Sequence, residues 1–158
     1  MTTTAEADAP RIVGDALAKG VTGDLEGGVD LIVPLIAGGY RDAFALACML
    51  AEVAAFTALR DRQPGSYFGM PVENTETGEA GSAEDLPPHV RFAAQFTVAR
   101  ANRDGDHAEA LFHALYRQAG ADGQLLVDGL LMLFQMAVCT ATDVHQEVRA
   151  AREAGGGS

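Results

Sequence analysis

Two stretches of this chain are apolar on nearly every side of a helix, and that narrows the folds open to it. Between Ala43 and Leu59 only Glu52 and Thr57 interrupt the apolar content; from Leu125 to Ala141 the breaks include Asp128, Gly129 and Gln135. At 100° per residue, Ala43, Ala47, Ala51, Ala54 and Ala58 fall within about 80° of one another. Leu46, Met49, Leu50, Val53 and Phe56 occupy a separate sector of the same helix. One side therefore admits another helix at close range, while the other packs with large side chains. Helices with so little polar surface must be wrapped by other helices or face another subunit.

The rest of the pattern predicts an all-α, single-domain helical bundle of five to six helices, flanked by flexible tails at 1–9 and 154–158. Pro10 can open a short helix that Gly20 stops. The segment 24–37 should be helical, but Gly27, Gly28 and Pro34 weaken it, which predicts a kink or a start near Asp30. The segments 40–60, 89–102, 106–118 and 124–153 complete the helices. Residues 62–86 carry Pro64, Gly65, Gly69, Pro71, Gly78 and Gly81 with no helical period, the signature of a long irregular loop. At 158 residues the single domain should bury roughly 70% of its unfolded surface.

Two turns share a pattern. Gly38-Gly39-Tyr40-Arg41-Asp42-Ala43-Phe44 and Gly105-Asp106-His107-Ala108-Glu109-Ala110-Leu111 both read Gly-x-aromatic-x-acid-Ala-apolar. This resembles the inter-helix turn of tetratricopeptide-type hairpins, where Gly permits the turn and Ala lets the second helix lie close. Pro34 and Arg117 depart from that family's pattern. The resemblance implies two antiparallel helix-turn-helix hairpins joined by the 62–86 loop.

Charge locates the flexible parts. Residues 1–30 hold six acids against Arg11 and Lys19, giving −4, and residues 61–86 hold six against Arg62, giving −5; only −2 of the net −11 remains elsewhere. Such a chain is a poor non-specific ligand for nucleic acid, whose phosphates require Lys and Arg. No uninterrupted apolar run of ~18 residues suggests a membrane span, and the N-terminus has neither a basic nor an apolar leader region, so a cytoplasmic location is expected. Cys48 and Cys139 sit in apolar stretches, read as small hydrophobes of a reduced compartment.

Chemistry is thinly represented. Glu109 and His113 share a helix face, but a metal site needs more ligands than that pair, so no metal or other cofactor is expected. Asp104 or Asp106 is best suited to cap the following helix. The serines lack a nucleophile elbow, and both cysteines lie where apolar surroundings raise a thiol pKa. No catalytic residues are assigned.

The leading expectation is therefore a non-enzymatic helical interaction or assembly protein that self-associates and engages another, possibly basic, protein. Tyr67, Phe68 and Met70, bulky residues between Pro64-Gly65 and Pro71, are its candidate anchors. The alternative is a small-molecule-binding bundle, possibly an enzyme, with Asp128, Gln135 and His113 around an apolar pocket. An acidic mimic of nucleic acid ranks third, since most of the net charge lies in tails and loops.

Overall fold

A computed structural model describes residues 4–70 and 80–157. Among them are seven α-helices and no strand: α1 (Thr4–Val21), α2 (Leu25–Ala37), α3 (Tyr40–Ala54), α4 (Phe56–Arg60), α5 (Pro88–Ala101), α6 (Gly105–Ala119) and α7 (Gln124–Gly155). A single 3-10 turn, Ala83–Asp85, precedes α5, held by a capping box between Ser82 and Asp85. The middle of the acidic connection, residues 71–79, lies outside the described residues.

Three elements differ from the sequence reading. The first helix begins at Thr4, ahead of Pro10, which falls within it. The second begins at Leu25 rather than near Asp30, because the Asp24 carboxylate accepts the Gly27 N–H at 2.9 Å and caps it. Pro34 falls in its last turn. The carbonyl its missing N–H would have addressed belongs to Asp30, and both residues are exposed, so water can serve that carbonyl. The expected 40–60 helix divides at Ala55. There the Thr140 hydroxyl of α7 donates to the Ala54 carbonyl at 3.0 Å, replacing the partner that carbonyl would find in a continuous helix.

The two oily helices are the wrapped ones. The seventh helix packs against α1, α2, α3, α5 and α6, and the third against α1, α2, α5 and α7. Ala43, Leu46, Ala47, Leu50 and Ala51 on α3 are buried, as are Leu126, Gly129, Leu130, Leu133, Phe134, Ala137 and Val138 on α7. Phe96, Phe112 and Phe134 are the largest fully enclosed side chains. Over 32 residues α7 contains an 18-residue stretch of mean hydropathy 1.7, long and apolar enough to cross a membrane by length and composition; 39% of that stretch is buried inside the fold. Glycine serves packing at Gly28, where a Cβ would lie 2.7 Å from the Ala16 carbonyl oxygen of α1 and 2.8 Å from the Phe134 ring.

The two similar turns are built differently. Gly38-Gly39 lies between α2 and α3, with Gly39 at φ 101°, a conformation that favours glycine. Gly105 is instead the first residue of α6, capped by the Asp104 carboxylate on the His107 N–H at 3.1 Å. By place in the helix, Ala43 matches Ala108, both fully buried, whereas Ala110 is exposed. The sequence repeat thus runs two residues out of step with the helices it marks.

Candidate docking groove

Three helices turn part of their apolar surface away from the core and toward one another. On α1, Pro10, Val13, Gly14 and Leu17 follow i, i+3, i+4, i+7 spacing, which places them on one stripe. Met49, Glu52, Val53 and Phe56 repeat that spacing across α3 and the start of α4. The third wall is α7, with Thr140, Ala141, Val144, His145 and Val148. Together they line an open groove of about 710 Å³. Phe56 is 48% exposed and Val148 45%, so large apolar side chains face solvent at its edge.

Acidic side chains stand in this groove and on its flank. Glu52, the acidic lining residue, accepts from Arg100 at 2.7 Å yet keeps 63% of its side chain exposed. On the flank, Arg60 is shared by Asp61 at 3.0 Å and Glu147 at 2.9 Å, one guanidinium between two carboxylates. Those contacts raise the Arg60 pKa, first through Asp61 and then through Glu147. A second groove, of about 730 Å³, opens among α1, α2 and α3 and shares Pro10 and Met49 with the first. Cys48 lines it, and burial pushes its thiol pKa up, with Arg100 opposing and Glu52 adding.

The residues singled out from sequence lie elsewhere. Tyr67 is 79% exposed, whereas Phe68 and Met70 are half-buried. The Phe68 backbone exchanges two hydrogen bonds with the Asn102 amide, both at 2.9 Å. Arg62 donates to the Ala101 carbonyl at 3.1 Å and also to that of Ser66, so the segment is tied to the end of α5 and presents Tyr67 alone. Asp128 is half-buried and accepts from Gln124 at 2.8 Å. It shares a groove of about 350 Å³ with Gln135 and His89. His113 lies on α6, edge-on to Tyr40 at 6.2 Å, beside Ala110 and Arg117. The three polar residues of the ligand-binding alternative are thus divided between two surfaces. Among the described residues no group of three or more His, Cys, Asp and Glu side chains is placed to hold a metal ion. Cys139, read as a small hydrophobe in an apolar stretch, is exposed.

The groove carried a sequence signal that is faint. Val144 and Val148 continue the apolar stripe of α7 past Thr142, in a stretch whose polar residues mark it as solvated, and Gly14 interrupts a helix without ending it. No family model, curated protein or solved structure matches this chain.

Proposed function

We propose that this chain is a non-enzymatic helical interaction protein that receives an amphipathic helix of another protein in the groove between α1, α3, α4 and α7. The observation that carries this reading is the groove itself: three apolar stripes face one another, with Phe56 and Val148 exposed beside them. Helix-in-groove recognition uses anchors at i, i+3, i+4 and i+7, the spacing the walls themselves display. The wrapping of α3 and α7 within one chain accounts for their buried apolar faces, and the face they leave open is the groove. The titratable residues that stand out in the sequence are spread over separate surfaces, which favours binding over catalysis.

A fluorescein-labelled amphipathic peptide of Leu, Ala and Lys, about 18 residues long, tests this by anisotropy. Binding to the wild type that is lost in Val148→Asp supports the reading. No binding, or binding indifferent to Val148→Asp, contradicts it. Because Val148 is exposed, its substitution should move folding stability by no more than about 0.5 kcal/mol.

A further inference from the structure

Resting on that reading, we infer that the occupant is a basic amphipathic helix crossing α1 at Gly14, where the missing side chain lets the two backbones approach. The four glycines of the first two helices differ in what surrounds them, Gly27 lying against the Asp24 carboxylate that caps its helix. A Cβ at Gly20 would lie 2.5 Å from Val138, and one at Gly28 would lie 2.7 Å from the Ala16 carbonyl oxygen. At Gly14 a Cβ would meet nothing within 4 Å. Glycine in a helix interior is less favourable than alanine, and nothing in the fold asks for it at this position. Gly14 nevertheless sits in the middle of α1 and lines the groove. An incoming helix supplies the missing reason, since close helix crossings select small residues at the point of contact.

Charge then selects the class of partner. The groove holds Glu52, largely exposed, with Glu147 on the flank of α7 and exposed Asp143 on the same helix. Arg100 pairs with Glu52, whereas Arg60 is outnumbered by its two carboxylates, so an excess of acid stays on the flank. The chain as a whole carries −11. A helix with Lys or Arg beside its apolar stripe gains attraction and encounter rate here; a second copy brings the same excess of acid to the same place.

The test uses the full chain, the Lys-bearing peptide and a version with Glu at every Lys. Expected is binding of the Lys peptide that weakens as salt is raised, with the Glu peptide at least roughly tenfold weaker. Gly14→Ala should raise the urea midpoint of unfolding yet lower peptide affinity by roughly tenfold, and Gly14→Leu should lower it further. A purely structural Gly14 would leave affinity unmoved. If Val148→Asp abolishes binding while both Gly14 variants bind normally, the crossing at Gly14 is overturned and the groove stands. Equal binding of the two peptides overturns the basic partner. A concentration-dependent dimer of the isolated chain in sedimentation, lost in Gly14→Leu, would overturn it in favour of a second copy.

Discussion

The two ends of α3 meet very different company. At its start, Tyr40 and Phe44 enter a cluster with Phe92, Phe96, Phe112 and Tyr116, in which Phe112 alone meets five rings at 5.2 to 6.3 Å. At its end, Met49 and Val53, with Phe56 at the start of α4, look across an open groove toward Gly14, Ala141 and Val144. Both ends are apolar. What differs is side-chain volume: the first Phe, Tyr or Trp of the chain is Tyr40 and the last is Phe134, so α1, α2 and the second half of α7 contain none of these. With Gly14, Val13, Val53, Ala141, Val144 and Val148 among the facing residues, the groove keeps space that more rings would have filled. Apolar composition sets where helices gather; the distribution of bulk sets whether the gathering is sealed.

Substitutions at the sealed end should be the most damaging. Phe112→Ala removes the fully buried ring shared by that cluster and should cost about 3–5 kcal/mol, seen as a collapse of the urea midpoint. A comparable loss from Phe56→Ala, whose ring is half exposed, would break the contrast. Gly28→Ala forces α1 and α2 apart at the Ala16 carbonyl and should destabilise by about 1–3 kcal/mol, measured the same way. Thr97→Val should act in the opposite direction. Thr97 is fully buried and its hydroxyl has no hydrogen-bond partner among the described residues, so replacing it with a methyl should stabilise the fold by about 1 kcal/mol.

The smallest effect is one of pH. The Asp24 carboxyl is held below its ordinary 3.8 by the Gly27 N–H first and by Lys19 second. A depressed folded pKa means that the unfolded chain binds the proton more readily, so this contribution is present above 3.8 and lost as pH falls through the lower folded value. The gap in urea midpoint between wild type and Asp24→Ala should hold at neutral pH and close in strong acid. A gap that widens on acidification would contradict the cap.

Much of this fold was legible because its signals are local or periodic. The burial of α3 and α7 follows from stripes covering most of each helix, and the α6 cap was narrowed to Asp104 or Asp106, of which Asp104 serves. The division at Ala55 did not, because it is accompanied by a hydroxyl from Thr140, 86 positions away. The offset between the paired turns was invisible because Gly105 looks like Gly38 until its place in the helix is known. The groove was the least legible feature: an opening depends on which small residues come to face one another, and no window along the chain contains that information. The loop aromatics stood out as bulky residues in an irregular segment, yet Asn102 and Arg62 tie that segment down and leave Tyr67 alone outward.

The claim that matters most is that the space between α1, α3 and α7 accepts a helix. Methyl NMR of the full chain, titrated with the Lys-bearing peptide, reads this position by position. The account predicts shifts at Val13, Leu17, Val53, Val144 and Val148, with the buried Leu130 and Leu133 little changed. Shifts centred on Leu131 and Met132 beside Asp128, or none at saturating peptide, would contradict it.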